Sequence, residues 1–113
     1  MSSCLFCKII NGEAPSQKVY EDEHVFAFKD IRPQAPVHVL VCPRLHIPTL
    51  NDTVPEHVDV LGNMFVVAKK LAEQFAIDQK GYRTVFNVNA GAGQTVYHLH
   101  LHVIGGRPLS WPP

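Results

Sequence analysis

Three histidines stand at alternate positions in His98-Leu99-His100-Leu101-His102-Val103-Ile104, with an apolar residue in each gap. Along an extended strand successive side chains point to opposite faces, so this pattern sends Leu99, Leu101 and Val103 into a core and gathers three imidazoles on the other face. At a rise of about 3.3 Å per residue, neighbouring rings are anchored roughly 6.6 Å apart, within reach of one substrate. No Lys, Glu or Ser interrupts the set, as the solvated face of an ordinary amphipathic strand would. The chain holds seven histidines in 113 residues, and three of them fall within five positions.

Two chemistries suit such a face. Histidines separated by one residue on a strand are a metal-binding geometry, which would make a catalytic zinc centre. Alternatively, imidazole is largely unprotonated at neutral pH and can attack phosphorus. The loop upstream, with Asn87, Gly91, Gly93, Gln94 and Thr95, offers backbone N–H groups, amides and a hydroxyl, uncharged donors suited to cradling one phosphate. The sequence sets no carboxylate beside the triad to complete a hydrolytic metal site, which favours phosphate chemistry.

The elements that must position these residues read as α+β. Cys4–Gly12 carries Leu5, Phe6, Ile9 and Ile10 on one short helical face with Gly12 as its stop. Val19–Glu21 and His24–Lys29 read as two strands joined by Asp22-Glu23. Asp30–Pro36, with two prolines, reads as a loop. Val37–Cys42 is apolar enough for a strand buried on both faces, ended by Pro43. Thr53-Val-Pro-Glu56 matches a capping box for one long helix. Its apolar stripe comprises Leu61, Met64, Phe65, Ala68, Leu71, Ala72 and Phe75, closed at Lys80-Gly81. Tyr82–Val88 and Tyr97–Ile104 complete five strands around the loop Asn89–Thr95. Hairpin connections imply an antiparallel sheet with one long and one short helix.

Ten basic and ten acidic residues give a formal net charge of zero, so no electrostatic footprint for nucleic acid or an anionic membrane is expected. The longest wholly apolar run, Met64–Ala68, is far short of the roughly twenty residues of a membrane span. The opening MSSCLFCKIINGEAP has neither a basic leader nor a long apolar stretch, so no secretory signal is expected. Three cysteines argue against a disulfide framework, and Cys42 sits in an apolar run as packing; a reducing, cytoplasmic address fits.

His98-x-His100-x-His102 followed by Val103-Ile104 resembles the histidine-triad motif. The resemblance extends to Phe6-Cys7-Lys8-Ile9-Ile10, Phe28-Lys29-Asp30-Ile31, Pro36-Val37-His38, Gly93-Gln94-Thr95-Val96-Tyr97, Gly105-Gly106-Arg107 and Trp111-Pro112-Pro113. The last two segments look like the histidine triad nucleotide-binding proteins rather than the fragile-histidine-triad dinucleotide hydrolases. The resemblance implies a single domain over 1–113 and a purine nucleoside phosphoramidase. His100 would attack the α-phosphorus of an adenosine 5′-phosphoramidate, an amine would leave, and water would release AMP from the nucleotidyl-histidine. His102 would contact the phosphate and assist proton transfer, His98 would orient the central ring, and His38 would support the triad. Thr95, Asn87 and the Gly93 backbone would complete the phosphate cradle. Asp30 would take the ribose hydroxyls, and Leu5, Phe6, Ile9, Phe28 and Ile31, which by sequence alone are core, would wall the base. The resemblance further implies a homodimer, with the tail 107–113 and Trp111 reaching toward the partner's site; docking of Trp111 on its own subunit is the alternative.

Cys4-x-x-Cys7 leaves zinc, redox chemistry and plain packing open. The resemblance adds one specific arrangement, a structural zinc held by Cys4, Cys7, His46 and His98, with no metal required for catalysis. His24 and His57 have no partner pattern and read as surface residues. Two further functions compete with the enzyme reading. One is a nucleotide-binding regulatory module with vestigial catalysis, the other a zinc-dependent enzyme with the triad as ligands.

Overall fold

In a computed structural model, residues 3–113 are described; Met1 and Ser2, part of the segment searched for a leader, lie outside them. Strands β1 (Lys18–Glu21), β2 (Val25–Lys29), β3 (Val37–Pro43), β4 (Tyr82–Val85) and β5 (Leu101–Gly105) form one sheet in the order β1-β2-β3-β5-β4, with all neighbours antiparallel. Helix α1 (Leu5–Ile10) covers one face and α2 (Val58–Gln74) the other. This is the expected α+β architecture.

Strand periodicity divides the core in two. Val25, Ala27, Val39, Val41, Leu101 and Val103 pack beneath Met64, Val67, Ala68, Leu71 and Ala72 of α2. The alternate positions Phe26, Phe28, Leu40 and Cys42 face Phe6 and Ile9 of α1. The central strand β3 is thus buried on both faces, and His38 shares the α1 face with Leu40 and Cys42 by its even position.

Several boundaries differ from expectation. Capping falls earlier than Thr53: Thr49 and Asp52 form the capping box of a short turn, Leu50–Asp52, and the Thr53 hydroxyl donates to the Leu50 carbonyl. A second turn, Pro55–His57, is capped by His57, whose Nδ1 accepts from the Val54 N–H at 3.1 Å. The long helix therefore begins at Val58. It ends at Gln74 rather than at Lys80-Gly81, because Ala76 (φ 60°) turns the chain left-handed. Its N–H binds Glu73, and the Ile77 N–H reaches back to Ala72 at 2.9 Å, a Schellman closure without glycine. Phe65 is not core; it is exposed and meets the Phe86 ring edge-on.

The last two strands are shorter than the sequence suggests. β4 stops at Val85, and β5 begins at Leu101, so His98 and His100 precede the ladder. The ladder between β3 and β5 ends at the Val41–Leu101 pair; Cys42 and Pro43 continue β3 against β2 alone. The Leu99 N–H donates to the Ile47 carbonyl at 2.7 Å and ties the segment 98–100 to the chain beyond β3. The alternation survives regardless, since Leu99, Leu101 and Val103 are buried in the α2 core.

Trp111 is 81% exposed and does not dock on its own core. Its ring lies 5.9 Å from the Arg83 guanidinium, which also donates to the Ser110 carbonyl at 2.9 Å. No helix among the described residues is long and apolar enough to cross a membrane.

Candidate active site

His100 is held from two sides. Its Nδ1 lies 2.7 Å from the backbone carbonyl of His98. A carbonyl only accepts, so Nδ1 carries the proton and the lone pair sits on Nε2. The Phe6 ring meets the imidazole edge-on at 5.0 Å and packs edge-on against Phe28 at 5.1 Å. Burial pushes His100 below the usual imidazole range, partly opposed by its bond to the His98 carbonyl and by the charge of Asp30. The result is a neutral imidazole with a fixed tautomer, the form a nucleophile needs.

The neighbouring ring of His102 lies 5.0 Å from that of His100, centroid to centroid. Its Nδ1 is 2.9 Å from Nε2 of His38 on the adjacent strand, where β3 and β5 pair. The Gln34 N–H donates to Nδ1 of His38 at 3.0 Å. That N–H cannot accept, so His38 bears its proton on Nε2, donates it to His102, and leaves the His102 proton on Nε2. Burial, reinforced by the charges of His100 and His38, pushes His102 down to about 4. Burial also lowers His38, against the pull of Asp30.

Asp30 corrects the expectation that no carboxylate lies near the triad. Its Oδ2 is 3.3 Å from His38 Nε2, and its Oδ1 accepts from the Arg32 N–H at 2.8 Å. Asp30, His38 and His102 are close enough to share an ion. The two imidazoles nevertheless face each other at hydrogen-bonding distance, and the other nitrogen of His38 is taken by Gln34. That arrangement is a hydrogen-bonded relay rather than a ligand set aimed at one point.

His98 turns its ring elsewhere. It is fully buried; Nε2 donates to the Pro43 carbonyl at 2.7 Å, so its lone pair is on Nδ1. That atom lies 3.5 Å from the sulfurs of Cys4 and Cys7 and 3.2 Å from Nδ1 of His46; Cys7 Sγ lies 3.4 Å from the same His46 nitrogen. Bonds of about 2.3 Å to sulfur and about 2.05 Å to nitrogen in a tetrahedron put N···N at about 3.3 Å and N···S at about 3.6 Å. The four donors therefore suit a Cys₂His₂ centre, and the Pro43 carbonyl holds His98 in the ligating tautomer. The hydrogen bond of His98 to the neighbouring His100 is made by the backbone carbonyl, not by the ring.

The remaining expected residues are scattered around this centre. Thr95 lines a cavity of about 760 Å³ with Cys4, Leu5, Cys7, His46 and Tyr97. Gly93 is exposed at φ 90°, Asn89 is held at φ 68°, and Asn87 is half-buried. Gln94 is not an open phosphate donor. Its buried amide accepts from the Asn89 N–H and donates to the carbonyls of Pro48 and Val96, clamping the loop internally. Phe6, Ile9 and Phe28 are core, whereas Leu5 (48% exposed) and Ile31 (87%) are not. Gln34 and the Pro43 carbonyl escaped the sequence reading because main-chain groups leave no mark on residue type.

Comparison with known proteins agrees with this geometry. Residues 11–109 match the family described as HIT domain. The chain is 53% identical over 105 residues to the purine nucleoside phosphoramidase of Escherichia coli K12, spanning 93% of this chain and 88% of that protein. A HIT family hydrolase from Legionella pneumophila superposes with a TM-score of 0.97 at 53% identity, covering 98% of this chain and 99% of that one. A zinc-bound histidine triad family protein from Mycobacterium smegmatis gives 0.80 at 38% identity, covering 93% and 76%. This chain belongs to the HIT domain family.

Proposed function

We propose that this HIT-family enzyme hydrolyses the P–N bond of adenosine 5′-phosphoramidates. The observation that carries the reading is the His98 carbonyl on Nδ1 of His100, which commits the Nε2 lone pair to attack. Nε2 bonds to the α-phosphorus while the P–N bond breaks toward nitrogen. The departing amine takes one proton from the medium at the edge of His102. Water then attacks phosphorus, AMP is released, His100 returns neutral, and one proton returns to the medium.

In this reading the Nε2–H of His102 binds a phosphoryl oxygen, and Thr95, Asn87 and the Gly93 backbone complete the cradle. Asp30 accepts from the ribose hydroxyls, a second use of a carboxylate that already faces His38. Phe6, Ile9 and Phe28 floor the base slot, with Leu5 and Ile31 at its rim. Cys4, Cys7, His46 and His98 hold a structural zinc that ties α1 to the sheet; the spacing of the four donors and the zinc-bound M. smegmatis relative support this. The molecule acts as a cytoplasmic homodimer, its one domain spanning 1–113 and its tail 107–113 carrying Trp111 toward the partner's site. The exposure of Trp111 supports that placement.

Incubation with an adenosine phosphoramidate tests the activity directly, with amine and AMP measured together. Turnover lost in His100→Ala is the expected result. Micromolar AMP binding with no amine release would instead make the chain a nucleotide-binding module.

A further inference from the structure

The joint between the C-terminal tail and the Asp30–Pro36 loop has no place in the mechanism so far. Arg107 closes on that loop with two donors, Nε at 3.0 Å and a terminal nitrogen at 2.9 Å from the carbonyl oxygen of Gln34. Its other terminal nitrogen binds the Pro108 carbonyl at 3.0 Å. Gly106, at φ 95°, presses on the same loop: a Cβ there would stand 3.0 Å from Cβ of Pro36. Pro33 and Pro36 flank Gln34 with fixed φ, so the short span between them has few ways to move. The Gln34 side chain adds a 3.1 Å bond to the Arg32 carbonyl.

Gln34 is also the residue whose N–H sets the protonation of His38. Its carbonyl and its N–H lie in adjacent peptide planes that meet at its Cα, the first gripped by the tail and the second resting on the relay. A planar guanidinium spanning one carbonyl with two N–H groups fixes direction as well as distance, which a lysine ammonium does not.

We propose that Arg107 is a positioning residue for the hydrolysis: by gripping the Gln34 carbonyl it aims the Gln34 N–H at Nδ1 of His38. His38 then keeps its proton on Nε2 and presents it to His102, and the Nε2–H of His102 is left for the phosphoryl group. Arg107 touches neither substrate nor reacting atoms. Its effect on turnover rests on the proposed P–N hydrolysis, whereas its effect on the His38 tautomer does not.

The test is ¹⁵N-resolved imidazole correlation spectroscopy on wild type, Arg107→Ala, Arg107→Gln and Arg107→Lys, alongside kcat and KM. Wild type should show His38 wholly as the Nε2–H tautomer. Arg107→Ala should mix in the Nδ1–H form and lower kcat about tenfold, a part of the roughly 10²–10⁴ that a positioned proton-transfer group supplies. KM should change less than about twofold, and Arg107→Lys should recover part of both readouts. If Arg107→Ala fails to fold, the glutamine and lysine variants carry the same comparison. A His38 tautomer unchanged in the soluble variants overturns the assignment, as does lost stability with kcat intact. A wild type that releases no amine would refute the P–N reading instead, and the spectra would still decide the role of Arg107.

Discussion

The backbone carbonyl of His98 lies 2.7 Å from Nδ1 of His100, while the ring of the same His98 points away into a cluster of two cysteines and His46. One residue thus serves the nucleophile with its main chain and a metal-binding geometry with its side chain. Replacing His100 by Ala should remove the nucleophile without disturbing the polar contacts of the His98 ring. Turnover should fall by at least about 10³-fold, with AMP affinity changed far less. Single-turnover kinetics beside calorimetric AMP titration separates the two quantities, and near-normal amine release from the variant would refute His100 as nucleophile.

The Cys₂His₂ cluster should hold about one zinc per chain. Cys7→Ser should lose the metal and lower Tm by at least roughly 5 °C, the equivalent of about 1 kcal/mol in a domain of this size. Elemental analysis with thermal melts before and after chelation provides the check. Chelated wild type should retain its turnover below its melting range; turnover that vanishes with the metal while the fold persists would assign the ion to catalysis.

Acid should weaken this fold. Burial holds His38, His98, His100 and His102 below the ordinary imidazole range, His102 at about 4. In the unfolded chain the same rings take up protons below about pH 6.5. Unfolding then binds protons, so the stabilisation is complete above about pH 6.5 and declines as pH falls toward 4. Each ring that stays neutral contributes up to about 1.4 kcal/mol per pH unit in that window. Urea midpoints of chelated protein between pH 7.5 and 4.5 should drop steadily. A flat profile would contradict the neutral relay.

Leu71 is buried between α2 and the sheet. Leu71→Ala should cost about 2–5 kcal/mol through lost burial and the cavity left behind. Chemical denaturation at neutral pH measures this, and a loss under 1 kcal/mol would mean that the two layers close over the gap.

Much of this was legible in the sequence because it depends on side-chain period. Leu99, Leu101 and Val103 alternate with histidine and are buried as their spacing requires. Met64, Ala68, Leu71 and Ala72 recur at helical steps and face the sheet. Boundaries were less legible, since they depend on what the neighbouring chain supplies. β5 starts at Leu101 because its ladder with β3 ends at the Val41–Leu101 pair, beyond which Cys42 and Pro43 pair only with β2. The helix ended at Gln74 because Ala76, a non-glycine residue just beyond the cap, took the left-handed position that Gly81 promised. The cysteine–histidine grouping came from family resemblance, because no spacing rule joins Cys4 to a residue 94 positions away. The proximity of Asp30 to His38 likewise depended on the turn between β2 and β3.

The His38–His102 contact spans 64 positions, and Arg107 to Gln34 spans 73. Both depend on β5 having inserted between β3 and β4, the pairing of longest sequence separation in the sheet. Loop closure makes such pairings slow, and no local hairpin can form the relay by itself. Recovery of turnover during refolding should therefore lag behind helix formation and coincide with completion of the sheet. Enzymatic activity in this chain is a reporter of contacts between its N-terminal and C-terminal halves.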